Sequence, residues 1–305
     1  MADPTSAQPH TPGPLAPIAT IGAAGLRHHL GALTAHGPRD ADSTAAIAAT
    51  LRHITDSLTG WGYRVVVERY GGDLADVNLL AELPGADPHA AILEVGAHWD
   101  TVPGSPGADD NASGVAGALE AARALSLLGR AQRGIRFCFF GGEEDGFLGS
   151  TAHLDRLDPN GAAVQGALVF EMIGYRTSQP GTQRVPPAMA GLIDPPTRGD
   201  FIAVVTDEHS ADYATAFALS ALSHAPELGI LAVTAPAELL NTVSRSDHVP
   251  YWRSGRKALL VTDTAEYRNP HYHRPTDTTD TLDLEFAADV TRTVTAAAAH
   301  LAGHP

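Results

Sequence analysis

His98 and Asp100 stand at the end of an apolar run, in the order ILEVGAHWD from Ile92 to Asp100. Two residues apart on an extended chain, they leave the same face of the strand. Ten residues past Asp100 come Asp109, Asp110 and Asn111, followed by Ala-Ser-Gly, which reads as a helix start. Glu143 and Glu144 follow a second apolar run, Ile135–Phe140, and Glu171 ends a third. A histidine pair, His271 and His273, stands near the C-terminus in NPHYHRPTDT. Imidazole and carboxylate are the ligands of zinc and similar cations, which activate water at neutral pH. Singly, each group is weak. A lone histidine is more often a satisfied core residue, a Glu-Glu pair a solvated turn, and a DDNAS run a helix cap. Their repetition at the ends of apolar strands argues for a metal centre.

The elements that must carry these groups alternate between two periodicities. Leu26, Leu30 and Leu33 mark a helix over Gly22–His36, and Ile47, Leu51, Ile54 and Leu58 mark a stronger one over Ser43–Thr59. Strands are expected at Tyr63–Tyr70, Val77–Leu83 and Ala91–Ala97, then a helix from Ser113 to about Leu128. Further strands follow at Ile135–Phe140, Ala167–Phe170, Phe201–Thr206, Ile230–Thr234 and Lys257–Thr262. A helix at Ala211–Ala225 lies among them, and one with Phe286, Val290, Val294, Ala297 and Leu301 on one face closes the chain. Such alternation predicts a three-layer α/β/α sandwich around a mixed, mostly parallel β-sheet. The early strands are close enough in sequence to be hairpins. Function in such sheets gathers beyond the carboxyl ends of the strands, where the acidic groups fall. The stretch Tyr175–Asp200 is long, Pro-rich and without periodicity, as binding loops and lids are. Residues 1–19, rich in Pro, Ala and Thr, read as a disordered leader, and 20–305 as a single domain.

Composition narrows the partners. A net charge of −15 argues against nucleic acid, whose phosphates require clustered Lys and Arg. It suits an amine-bearing substrate. The one cysteine, Cys138, lies in an apolar run and reads as a small hydrophobe. No apolar run approaches the ~20 residues of a membrane span, and no secretion signal opens the sequence, so a cytoplasmic location is expected. Oligomeric state is not legible.

HWD, GADDNASG, FGGEEDGFLGS, FEMIGY, SDHVPYW and NPHYHRPTDT occur in that order from about Ile92 to Asp283. Together they resemble the M28 family of zinc aminopeptidases, to which glutaminyl cyclases are related. The resemblance implies a zinc-exopeptidase-like fold and two Zn²⁺ ions. The first would be held by His98 and Glu171, the second by Glu144 and His273, with Asp110 bridging. Glu143 would be the general acid/base for a metal-bridging water, and Asp100 would orient His98. The peptide after Asp110 would be cis. Tyr272 would donate to the oxyanion, or simply pack at the surface. Asp247 would orient substrate, or cap a helix. The implied substrate is a peptide or aminoacyl amide with a free N-terminal amine. Two positions depart from the pattern or leave a choice. The family's usual residue at 171 is Asp, one methylene shorter. His273 fits the His-x-Pro-x-Asp-Thr order better than His271. Alternatives are an aminoacyltransferase of the cyclase type, a pathway-specific amide hydrolase, and a non-catalytic domain, against which the complete ligand set argues.

Overall fold

The computed structural model describes residues 15–157, 163–192 and 196–304. Its strands are β1 (Val65–Arg69), β2 (Val77–Leu83), β3 (Ile92–His98), β4 (Ile135–Phe140), β5 (Val164–Glu171), β6 (Phe201–Asp207), β7 (Gly229–Ala235) and β8 (Lys257–Thr262). They form one sheet in the order β1-β2-β4-β3-β5-β8-β6-β7. β3 pairs in parallel with β4 and β5, β5 with β8, and β6 with β7. The pairs β1–β2, β2–β4 and β6–β8 are antiparallel. The sheet is therefore mixed and mostly parallel. β1 and β2 are the expected hairpin. β2 and β3 are not, because β4 is inserted between them.

The helices are α1 (Ala16–Ala19), α2 (Ala23–Thr34), α3 (Thr44–Gly60), α4 (Gly114–Ser126), α5 (Leu148–Asp155), α6 (Ala211–His224), α7 (Leu240–Val243), α8 (His248–Arg253) and α9 (Leu284–Leu301). Strand parity sorts the core into two layers. Leu93, Val95 and Ala97 of β3, with Phe137 and Phe139 of β4, face α2, α4, α6 and α9. Cys138 and Phe140 face the other way, where α5 and α8 pack. Leu26, Leu30 and Leu33 of α2 are all buried. Each such side chain contributes roughly 1.5–3 kcal/mol when taken from water. Ala and Gly in α4 let it lie close to the sheet: a Cβ on Gly117 would meet Ile173, Thr291 and Phe170 at 3.1–3.3 Å.

Two corrections bear on the chain's course. Most of the expected leader, residues 1–14, lies outside the described residues. Its last part does not match the expectation, since Ala16–Ala19 form α1 and Ile18 is buried with Ile21, Ala124 and Ala296. In addition, α4 does not start at Ser113. Ala108–Ser113 is a π-helical turn, kinked at Asp110 and Asn111, that runs into α4.

Candidate metal centre

Strand pairing brings the first two groups together. Gly96 pairs with Val169, so His98 and Glu171, two residues further on, leave neighbouring parallel strands on the same face. His98 also pairs with Phe140, which sets the following Gly-Gly-Glu-Glu turn beside it. That turn needs Gly142, whose φ is 66° and which lies 2.8 Å from Tyr70 Oη when given a Cβ. This is the switch point of the sheet: β3 is flanked on one side by β4, reached through α4, and on the other by β5.

Asp110 reaches the same place because its neighbours are tied elsewhere. Asp109 Oδ1 accepts from the Gly174 N–H and Oδ2 from Asn269 Nδ2, at 2.8 and 2.7 Å. Asn111 donates to Phe170 O and accepts from the Met172 N–H, and Ser113 Oγ accepts from the Ile173 N–H. The Asp110–Asn111 peptide is cis. The DDNAS run is thus stitched to the end of β5, leaving only the Asp110 carboxylate facing the centre. Asp277 completes the frame, accepting the N–H groups of Asp109 and Asp110 at 2.9 and 3.1 Å.

The result is two three-membered groups that share Asp110. His98, Asp110 and Glu171 each offer one ligand atom, all within 4.8 Å of one another, and so do Asp110, Glu144 and His273. His98 Nε2 lies 3.4 Å from Asp110 Oδ1 and 3.2 Å from Glu171 Oε2. His273 Nε2 lies 3.1 Å from Asp110 Oδ2 and 3.2 Å from Glu144 Oε2. Glu143 Oε2 stands 4.0 Å from His98 Nε2, in neither group. Although carboxylates surround them, His98 Nδ1, His98 Nε2 and Asp110 Oδ2 are buried and make no hydrogen bond. His98 Nδ1 faces Asp100, whereas Nε2 and Asp110 Oδ2 are lone pairs turned toward the two groups without a hydrogen bond, which is what a zinc ion satisfies. The residues therefore fit a metal.

Electrostatics point the same way. Burial would depress the His98 pKa, but Glu143, Glu171, Asp100 and Asp110 outweigh it and raise it well above its usual value. Burial likewise opposes the charge of Asp110, yet contacts with His273 and His98 hold its carboxyl below the normal range. Glu144 is pushed up to about 7, first by burial and then by Asp110. Glu143 is raised well above its usual value by burial, with Glu171, Asp247 and Glu144 adding to the rise against the pull of His98. A cluster this short of positive charge resists full ionisation until a cation enters.

Other expected residues fall in different places. Asp100 lies 3.4 Å from His98 Nδ1, and its two oxygens accept the N–H groups of Glu143 and Glu144, both at 3.2 Å. It therefore ties the β3 end to the Glu-Glu turn. His271 turns away, contacting Thr276 Oγ1 at 3.0 Å and the Tyr175 ring. Tyr272 stacks on His273, ring centroids 3.8 Å apart, and its hydroxyl faces Arg245 at 3.5 Å. Trp99 packs wholly inside, donating to Val77 O. Asp247 carries one correction, to its capping role. It is fully buried, and its Oδ1 accepts from Ser150 Oγ at 2.5 Å while Oδ2 makes no hydrogen bond. Nor does its side chain cap α8.

Sequence reasoning missed Ser246, whose hydroxyl donates to Glu171 Oε2 at 2.7 Å, and Asp277. Both lie in motifs already singled out, SDHVPYW and NPHYHRPTDT. Nothing in their local spacing marks them. Glu171 also borders a cavity of about 110 Å³, walled by Val185, Met189, Val205, Val243 and Leu260, with Tyr272 at its edge.

The chain resembles known proteins along most of its length. It is 35% identical over 270 residues to the uncharacterised protein YfbL of Escherichia coli strain K12, covering 83% of this chain and 80% of that one. It is 29% identical over 244 residues to a probable leucine aminopeptidase 1 of Trichophyton verrucosum, covering 76% of this chain. The match spans 59% of that relative's own length. Among solved structures, a zinc aminopeptidase from Bacillus subtilis shares the fold, with a TM-score of 0.72 at 18% identity over 92% of this chain and 95% of that one. Residues 78–298 match the model of peptidase family M28, and the chain belongs to that family.

Proposed function

We propose that this peptidase is a zinc-dependent aminopeptidase with two metal positions, hydrolysing the N-terminal peptide or aminoacyl-amide bond of a substrate with a free α-amine. The observation that carries the reading is the double engagement of Asp110. Its Oδ1 faces His98 and its Oδ2 faces His273, so one carboxylate belongs to both groups. We read residues 20–305, built on one sheet, as the unit that does this.

His98 and Glu171 would hold one zinc, Glu144 and His273 the other, and Asp110 both. Zinc in such a pair supplies a Lewis acid for the scissile carbonyl and lowers the pKa of water. Three carboxylates against two Zn²⁺ leave about one positive charge, which suits hydroxide. Glu143, beside the groups but in neither, takes the water's proton and returns it to the leaving amine. Its raised pKa suits a group that must be protonated in turn. Asp100 keeps the Glu-Glu turn against β3, fixing Glu143 relative to His98. Burial pushes the Tyr272 phenol above its usual pKa, so it remains a donor for a developing oxyanion. The apolar cavity beside Glu171 would take the first side chain of the substrate, its amine lying against the carboxylates. A leucine-like residue fits that lining.

The test pairs zinc content with a panel of aminoacyl p-nitroanilides, wild type beside Glu143→Gln. Two zincs per chain, preference for Leu over acidic residues, and a loss of about 10²–10⁴-fold in the variant with zinc retained are expected. One zinc per chain, with Gln-peptides losing ammonia instead of being hydrolysed, would replace this reading by the cyclase one. Full activity in the variant would remove Glu143 from the chemistry.

A further inference from the structure

Arg39 lies between α2 and α3, outside residues 78–298 that match the family, and its side chain is among the largest fully buried in the protein. Its hydrogen bonds go to backbone carbonyls. Nε donates to Trp99 O at 2.7 Å, Nη1 to Pro106 O at 2.7 Å and Leu33 O at 3.4 Å, and Nη2 to Gly107 O at 2.9 Å. Its own backbone N–H donates to Thr101 Oγ1 at 2.8 Å. Trp99 sits between His98 and Asp100, and Gly107 stands three residues before Asp110. The guanidinium thus spans the turn that leads from the first histidine to the shared carboxylate. We propose that Arg39 is a positioning residue for the metal centre: it clamps the 99–107 turn and so sets the separation between His98 and Asp110.

The proposal rests on the two-metal reading above and adds a residue from the N-terminal helices to it. Gly107 shows how tight the clamp is. It holds φ 60°, and a Cβ there would lie 2.2 Å from Thr101 Cγ2, 2.3 Å from Asp110 O and 2.9 Å from Arg39 Nη2. Among the described residues no carboxylate forms an ion pair with Arg39, so a buried cation has been spent on holding backbone. Asp100, Asp277, Asp110 and Glu144 act on it at longer range; burial lowers its pKa to about 10, and it stays charged at neutral pH. Geometry, rather than charge, is what an arginine adds here. A lysine would keep the charge but has a single ammonium where Arg has a planar fork able to reach separate carbonyls.

Three variants of the full chain separate these contributions, each measured by chelator competition for zinc on metal-free protein and by kcat and KM. Arg39→Lys is expected to weaken zinc binding about 10–100-fold, the range for residues that orient metal ligands. Its kcat should fall at saturating zinc while KM moves little. Ile54→Ala, in α3 away from the turn, destabilises the same helical layer and is expected to bind zinc as wild type does. Thr101→Val removes one acceptor of the clamp and should give a smaller loss in the same direction. Wild-type affinity in Arg39→Lys overturns the proposal, as does an equal loss in Ile54→Ala. Should Arg39→Lys not fold, Thr101→Val decides, and unchanged affinity there overturns it. A wild type that binds no zinc would instead overturn the metal reading itself.

Discussion

Two histidine–carboxylate clusters lie on the same face of the sheet and share strand β3. Glu94 belongs to one and His98 to the other. Glu94, Cys138 and His153 also bring three ligand-type atoms within 4.8 Å, all buried. That cluster is closed. Glu94 accepts from Arg136 Nη1 at 2.9 Å and from Tyr251 Oη at 2.6 Å, and lies 3.1 Å from His153 Nε2. His153 Nδ1 stands 3.2 Å from Glu68, which accepts from Asn78 as well. Burial would lower the His153 pKa, but Glu68 and Glu94 raise it to about 9, so it is an imidazolium donating on both sides. Arg136 is also paired with Glu82 at 3.0 Å, and Arg156 acts on Glu68, so three carboxylates meet three cations and the sum is zero. Around Asp110, five carboxylates meet two imidazoles, and among the described residues neither Lys nor Arg is paired with them. Proximity of ligand-type side chains does not make a metal centre. Unbalanced charge and unspent lone pairs do.

The sharpest way to break this contrast is Asp110→Asn, which keeps the size of the side chain and removes the shared charge. Zinc affinity should fall about a thousandfold or more at each position, one ligand's share of a total of about 10–16 kcal/mol, with hydrolysis lost. Retained zinc on competition with a chelator would show that Asp110 does not bridge.

The closed cluster should respond in stability and leave zinc untouched. Its groups are Glu68 on β1, Glu94 on β3, Arg136 and Cys138 on β4, His153 and Arg156 on α5 and Tyr251 on α8. Because the folded pKa of His153 is raised from 6.5 to about 9, its contribution is fully present below pH 6.5 and is lost as pH rises through about 9. The amount is on the order of 3 kcal/mol. Urea unfolding at pH 6 and pH 9.5 measures it, and His153→Gln should flatten the difference while zinc stoichiometry stays as in wild type. An unchanged pH dependence in that variant would mean that another group titrates.

The smallest effect is expected at Glu171. Replacing it by Asp, the residue usual in the family, shortens the side chain that Ser246 holds at 2.7 Å. Zinc affinity at the His98 position should change by about tenfold, the lower end of what one hydrogen bond to a charged group contributes. Competition titrations on the two proteins give the figure. A much larger loss would show that the Ser246–Glu171 contact sets the geometry of the centre.

How far the sequence could be read depended on how local each signal was. Ile135–Phe140 and Lys257–Thr262 are strands with the expected bounds, since apolar runs of that length between turn residues carry their own signature. α5 went unseen, and α8 entered only as the helix that Asp247 could cap. They are eight and six residues long, the first follows a left-handed Phe147 and the second contains Pro250, and neither has a resolved apolar stripe. The insertion of β4 between β2 and β3 is a pairing decided at long range, which strand-by-strand reading cannot supply. The capping role of Asp247 failed for a related reason. Its position at the start of α8 suggests a cap, but its Oδ1 accepts instead from Ser150, nearly a hundred residues away.

The sequence alone pointed to the class of chemistry, because His98, Asp110, Glu143, Glu144, Glu171 and His273 are imidazoles and carboxylates that recur in ordered motifs, most of them at the ends of apolar runs. It also determined that strand ends would present them, because the groups follow apolar runs and side chains alternate in direction along a strand. The His-x-Pro-x-Asp-Thr order already favoured His273 over His271; only the tertiary structure supplied the reason, a left-handed backbone at His273 (φ 58°) that sets its ring beside Asp110. Only the fold, likewise, made Glu94 and His153 a neutral structural cluster and Arg39 a clamp. Charge balance and carbonyl acceptors are properties of residues far apart in the chain that meet only when it is folded.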